Sequence, residues 1–370
     1  MLTKLTISNF RNIESLTLDP LGRITLIAGK NGVGKTAVLE ALWLLSGADN
    51  PELCARLGAM RGMSAPGRDY VFRDLFHDFD TGGRIGIVAY GDWGNRSRRL
   101  DVFLQDHQQT DALRYNARVP GNTDQLSITS MEDDVEIVFR YKHNDRKEYR
   151  SRAWMVAEQL SAVPFAPPLT SQGIRQERQT VPHRPSSVFM TALHRDDPQT
   201  NATRLSRLQL EGQDSRLLNL IHPIEPRLER LALISIEDTP VIHAYLRDVT
   251  KPIPVHLLGE GLNRMLRLGL AMSEVSGGML LVDEIENGLH HSVQKEIFSI
   301  LYSLAEELDV QIVATTHSRE CVRKAHKSST PLMDNAFAFY RLDYYDGQVL
   351  PVRYDAEMLD VAIEHNMEIR

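Results

Sequence analysis

The chain has 370 residues, 42% of them apolar and 25% charged, with 23 glycines and 17 prolines; this ordinary globular composition excludes a disordered, collagen-like or fibrous protein. Lys and Arg number 42 against 49 Asp and Glu, a net charge of −7, so any nucleic-acid contact must come from a local basic patch. Two cysteines, Cys54 and Cys321, cannot build a disulfide framework, and neither a secretory segment nor a bilayer-spanning apolar run is present, so a cytoplasmic protein with no membrane partner is expected.

In chain order, alternation over Leu2–Ser8 and Ser15–Leu18 predicts a strand hairpin turning through Phe10-Arg11-Asn12. Arg23–Ala28 reads as a short strand that runs into Gly29-Lys30-Asn31-Gly32-Val33-Gly34-Lys35-Thr36, and Ala37–Leu45 follows with strong helix formers. A strand, a glycine loop and a helix in that order make a phosphate-binding loop. The glycines let backbone amides approach phosphate oxygens, and the helix start aims further amides at the same anion. Lys35 supplies a point charge to the β- and γ-phosphates, and the Thr36 hydroxyl a ligand for Mg²⁺.

The middle of the chain reads as an insertion. Arg84–Tyr90, Arg99–Leu104, Leu113–Val119 and Val135–Tyr141 are short predicted strands, an antiparallel sheet beside the core. Arg140, Lys142, Arg146, Lys147, Arg150 and Arg152 interleave with Tyr141 and Tyr149, and Arg96, Arg98 and Arg99 follow Trp93. Such clusters bind phosphate backbone or simply solvate a face. The proline-rich stretch from Pro164 to Pro198 reads as an irregular connection or lid, and Arg204–Leu233 as helical with an interruption at His222–Pro226. No heptad run long enough for a coiled coil is present.

Leu257-Leu258-Gly259-Glu260-Gly261 opens a predicted helix running to about Val275, either as a simple glycine turn or as an anion-facing helix start. Met279–Val282 is a continuous apolar run, as a strand buried on both faces requires, and ends in Asp283-Glu284. Carboxylates at that end of a strand face the ligand crevice of an open α/β sheet: Asp283 to hold the Mg²⁺ shell, Glu284 to take a proton from an attacking water. An amphipathic helix over Ser292–Leu308 and a strand over Val310–Ala314 then bring His317 to the same sheet edge, with Ser318 capping the next helix. His290-His291 has no zinc-spaced companions.

The set GKNGVGKT, LGEGLNRM, LLVDEIENGLHHS and VATTHS resembles the heads of ABC/SMC-type ATPases. More closely, it is similar to the AAA-type ATPases akin to the ATP-binding half of OLD proteins and to RecF, over about residues 1–48 and 255–325. The resemblance implies an α/β P-loop NTPase of the ABC/SMC type with an inserted antiparallel β subdomain and a helical subdomain. The expected partition is an amino-terminal ATPase lobe over 1–80, the β insertion over 81–163, an irregular and helical insertion over 164–250, and a second ATPase lobe over 251–370.

It further implies that ATP and Mg²⁺ are the cofactors, that Lys35, Glu284 and His317 are catalytic, and that Thr36 and Asp283 are the metal residues. Asn287–His290 would form the D-loop. Gly259, Glu260 and Gly261 would stand in for the signature loop, reaching the γ-phosphate on a second copy in an ATP-linked homodimer, although they lack the serine and glutamine of LSGGQ. Gln105 and Gln159 are both open for the Q-loop position. The stretch after His317 is short for a nuclease domain like that of OLD proteins, so the resemblance implies a stand-alone sensor ATPase of bacterial phage defence controlling a separately encoded nuclease or toxin. A RecF-like clamp on DNA and a nucleotide-binding scaffold without turnover are the alternatives.

Overall fold

The computed structural model describes residues 1–61, 72–92, 97–106, 135–144, 147–155, 174–181, 186–192, 198–237, 239–329 and 336–370. At its centre lies β3 (Ile24–Gly29), all six residues buried. It is flanked on one side by β14 (Gln311–Thr315), β13 (Met279–Val282) and β9 (Ser187–Met190), and on the other by β15 (Phe337–Tyr345) and β16 (Gln348–Tyr354). All these neighbours run parallel except β16, which pairs antiparallel with β15. The strand pleat sends successive apolar side chains into two cores. Ile27, Leu281 and Val313 pack on one face, and Leu26, Leu280 and Ile312 on the other.

The first core is closed by α1 (Lys35–Ser46), which is buried almost all round because it lies between the parallel sheet and a second sheet. That second sheet is antiparallel, in the order β2-β1-β4-β5-β6-β7-β8, built from β1 (Leu2–Phe10), β2 (Ile13–Leu18), β4 (Ile85–Gly91), β5 (Ser97–Asp106), β6 (Val135–His143), β7 (Lys147–Met155) and β8 (Ile174–Glu177). The amino-terminal hairpin therefore forms as expected, and the antiparallel strands of the middle region extend it through β4 on β1. The buried Gln311 side chain joins the two sheets, accepting from the Leu2 amide at 2.8 Å and donating to the carbonyls of Leu2 and Gly22 at 2.8 and 2.9 Å.

The second core is covered by α5 (Glu260–Glu274), α6 (Gln294–Glu307) and α7 (Arg319–Ser328), with α8 (Ala356–Glu364) at the carboxyl end. Ser318 caps α7 as the sequence suggests, accepting from the Cys321 amide at 3.1 Å. Between α2 (Leu53–Met60) and α5 the structure departs from expectation at two places. The segment expected to be irregular contains β8 and β9, and β9 is a core strand paired with β13. The helical reading of Arg204–Leu233 holds for α3 (Pro198–Leu210) and α4 (Ser215–Ile221) only. Its last part enters β10 (Leu228–Ile236), which pairs with β11 (Thr239–Leu246) and, through it, β12 (Ile253–Pro254). Leu, Glu, Arg and Ala in β10 are helix formers, and pairing with the β-branched and aromatic β11 overrides them. The expected strand at Leu113–Val119 lies outside the described residues. Among the described residues no helix is long and apolar enough to cross a membrane.

Candidate nucleotide-binding site

The loop Gly29–Thr36 joins β3 to α1, and its glycines are required by what surrounds them. Gly29 has φ +146°, and a Cβ there would lie 2.5 Å from the Leu342 carbonyl oxygen of β15. Gly34, at φ +107°, lies under Asn12 of the β1–β2 turn, and Asn12 Nδ2 donates to the Gly32 carbonyl at 2.8 Å. Gly34 offers α1 no side-chain cap and the first turn holds no acidic residue, so the amides at the helix start remain for an anion. Lys35 is buried, and its Nζ donates to the carbonyls of Gly29 and Lys30 at 2.8 and 3.0 Å. Burial pushes this ammonium below its ordinary range, with Asp283, Glu284 and Glu286 pulling it back.

The expected second half of the site meets this loop. Thr36 Oγ1 donates to the Asp283 carboxylate, 3.2 and 3.3 Å from its two oxygens. The Thr315 hydroxyl, at the end of β14, donates to Asp283 Oδ1 at 2.6 Å and accepts from the Glu284 amide at 2.8 Å. Glu284 sits at φ +51°, a left-handed conformation rare for a residue with a side chain. Arg264 of α5 also fixes it. This buried guanidinium, pushed down mainly by desolvation, donates from Nη2 to the Asp283 and Glu284 carbonyls at 2.7 and 2.9 Å. The Glu284 carboxylate accepts from Asn287 Nδ2 at 2.6 Å, and its other oxygen is 3.7 Å from His317 Nε2. Glu286 accepts from the His317 amide at 2.7 Å.

Lys35, Thr36, Asp283, Glu284 and His317 therefore converge on one cleft of about 740 Å³, with Arg11, Asn12, Asn31, Gly32 and Gly34 along its wall. Behind it, the buried carboxylate of Glu40 takes Arg11 at 3.1 Å and Arg61 at 2.7 Å, and Arg11 also pairs with Asp74. The oxygen donors Thr36 and Asp283 suit a hard divalent cation such as Mg²⁺, which uses few protein ligands and completes its shell with phosphate and water. No group of three or more His, Cys, Asp or Glu side chains arranged for a metal occurs among the described residues.

Gly259–Gly261 lies apart from this cleft. A Cβ on Gly261 would come 2.5 Å from the Gly288 carbonyl oxygen, so the start of α5 packs on the segment expected to be the D-loop. Gln105 sits on β5, hydrogen-bonded to Glu136 and, at 2.6 Å, to Arg150, away from the cleft; Gln159 lies outside the described residues. In the basic cluster Arg140 pairs with Asp101, Arg152 with Glu136 and Glu177, and Lys142 with Glu148. Trp93, Arg96 and Arg146 lie outside the described residues. His290 and His291 lie against each other with their rings tilted by 42°, centroids 4.1 Å apart. Sequence reasoning missed Arg264, Thr315 and Glu286. All three stand within the quoted motifs, where Arg264 reads as one more cation on an amphipathic helix.

Residues 4–220 match a family described as "AAA domain", and residues 169–322 one described as "AAA domain, putative AbiEii toxin, Type IV TA system". The chain is 22% identical to an "ATP/GTP phosphatase" of Helicobacter pylori over 99% of this chain and 98% of that protein. It is 23% identical to an "OLD nuclease" of Thermus scotoductus over 86% of this chain, spanning 59% of that protein. A RecF protein of Pseudoalteromonas translucida matches 12% of each chain at 51% identity. Among solved structures, an Smc head bound to the C-terminal winged-helix domain of ScpA aligns over 98% of this chain and 99% of that one, with 14% identity and a TM-score of 0.48. With the first of these matches covering more than half its residues, and with its glycine loop set against an Asp-Glu strand end, the chain belongs to the AAA domain family of P-loop ATPases, similar to OLD proteins and RecF.

Proposed function

We propose that the chain binds ATP on Gly29–Thr36 and hydrolyses it, with Glu284 as the base. The convergence of Lys35, Thr36, Asp283, Glu284 and His317 on one cleft carries this reading. The α1 amides and Lys35 hold the phosphates, Lys35 exchanging the Gly29 and Lys30 carbonyls for phosphate oxygens. Glu284 takes the proton of the attacking water, oriented by Asn287, and His317 donates a hydrogen bond to the γ-phosphate. Mg²⁺, held by Thr36 and Asp283, would neutralise charge on the β- and γ-phosphates.

The cycle we infer is a switch between two copies, each ATP lying on one Gly29–Thr36 loop and beneath Gly259–Gly261 of the second copy. ATP bridges the surfaces and hydrolysis removes the bridge. Arg264 supports this, because it ties the helix that begins at that signature-like turn to the Asp283-Glu284 backbone. The toxin–antitoxin wording of one matched family and the likeness to OLD proteins support a sensor ATPase that governs a separate nuclease or toxin in phage defence. A DNA clamp has less support, since Arg140, Arg152 and Lys142 already have carboxylate partners.

Calorimetry and light scattering test the proposal together. ATP should bind the wild type and not Lys35→Ala, and Glu284→Gln with ATP should run as a dimer. Undiminished ATP binding by Lys35→Ala would remove the loop from the site. A Glu284→Gln variant monomeric at saturating ATP would remove the dimer switch.

A further inference from the structure

A triphosphate held by Gly29–Thr36 has a direction. Asp283 and His317 follow β13 and β14, which lie on one side of β3, and β15 lies on the other. With its γ-phosphate at Asp283, Glu284 and His317, the nucleotide has its ribose and base toward β15. In register, Leu342 of β15 pairs with Gly29, so Asp343, Tyr344 and Tyr345 project past the start of the loop. There Tyr344 is 63% and Tyr345 73% exposed, large rings left in water beside a phosphate loop. The hairpin end and Lys30–Gly32 enclose a cleft of about 790 Å³ that shares Asn12, Asn31 and Gly32 with the phosphate cleft.

We propose that this end of the β15–β16 hairpin is the purine-base subsite, with the Tyr345 ring as the stacking face and the Asp343 carboxylate as acceptor for the base's amino group. The proposal rests on the reading of Gly29–Thr36 as the phosphate loop. Tyr345 pairs across the hairpin with Gln348 and Asp343 with Leu350, so the ring, the carboxylate and the half-exposed Leu350 share one face. Arg341 donates twice to Asp343, at 2.6 and 3.1 Å, both times to Oδ2, which leaves Oδ1 for the base. The adenine amino group, or the ring and amino N–H of guanine, fits this acceptor. Gln348 donates to Glu14 of β2 at 3.1 Å and anchors the platform before nucleotide arrives. Two other exposed rings compete: Tyr344, which pairs with Val349 and so lies on the opposite face from Asp343, and Phe79, 59% exposed but lining the phosphate cleft with Glu284 and His317.

Calorimetry with ATP, purine riboside triphosphate (which lacks the amino group) and inorganic tripolyphosphate tests this on wild type, Tyr345→Ala, Asp343→Asn and Phe79→Ala. Tyr345→Ala should weaken ATP about tenfold and leave tripolyphosphate unchanged. Asp343→Asn should weaken ATP and leave purine riboside triphosphate unchanged. Wild-type ATP affinity in Tyr345→Ala, loss of tripolyphosphate along with ATP, or base-selective loss in Phe79→Ala would each overturn it. Retention of tripolyphosphate by Lys35→Ala would instead overturn the phosphate-loop reading, so the two failures are distinguishable.

Discussion

Arg264 and Glu284 are joined through the backbone: the Arg264 guanidinium donates to the Glu284 carbonyl at 2.9 Å and to the Asp283 carbonyl at 2.7 Å. A helix that begins at Glu260 thereby holds the acidic pair from behind, and the Glu284 backbone stays at φ +51°. This constraint aims the carboxylate without occupying the cleft.

Arg264→Met keeps the apolar stem and removes both donors. The two part-buried carbonyls lose their partner, and the expected cost is about 1 kcal/mol of stability. Turnover should fall about tenfold or more while ATP affinity stays within about threefold, because in the proposed cycle Arg264 positions Glu284 and touches no phosphate. Thermal melting, phosphate release and calorimetry on one preparation read all three. An equal loss in affinity and turnover would contradict a positioning role.

The Thr36–Asp283 contact joins residues 247 apart in sequence. If these two oxygens hold Mg²⁺, chelation by EDTA should weaken ATP binding to the wild type. Asp283→Asn should lose most of that difference, since a neutral amide is a poor ligand for a hard cation. The same chelation response in both proteins would place the metal elsewhere.

The close approach of β15 to the loop is testable by adding one carbon. Gly29→Ala would set a Cβ 2.5 Å from a backbone oxygen at a positive φ, and is expected to destabilise by about 2 kcal/mol or more. Gly32→Ala meets nothing within 4 Å and keeps only the strain of φ +76°, about 1 kcal/mol. Urea unfolding of the two variants gives the comparison, and equal midpoints would contradict it.

Cys54 and Cys321 are both fully buried, and burial pushes each thiol far above its ordinary range. Folded protein at pH 8 should label with iodoacetamide only as fast as it unfolds. A thiol raised by folding stabilises fully below its unfolded pKa, and that contribution is lost as pH rises above it. Unfolding free energy should therefore decline from pH 8 to pH 10, less so in a Cys54→Ala, Cys321→Ala double variant. Rapid labelling of the folded protein would show an open core.

Where local chemistry decides structure, the sequence is readable. The glycine loop, the apolar strands ending at Val282 and Thr315, and the stripe of α6 each carry their own period and stop signal. The shared position of Asp283, Glu284 and His317 was legible because they follow the ends of two paired parallel strands. Three features were hidden for physical reasons. β9 lies in a proline-rich stretch that reads as irregular, and it becomes a strand only by pairing with β13. β10 is written in helix-forming residues and becomes a strand only by pairing with β11. Arg264 acts from the buried side of α5 on backbone carbonyls, which leave no mark in a side-chain pattern.

The most direct measurement is phosphate release in a single turnover, with enzyme in excess over Mg-ATP, for wild type and Glu284→Gln. Hydrolysis at this cleft with Glu284 as the base requires wild type to release phosphate and the variant to hold ATP intact. Release at the same rate from both proteins would contradict it.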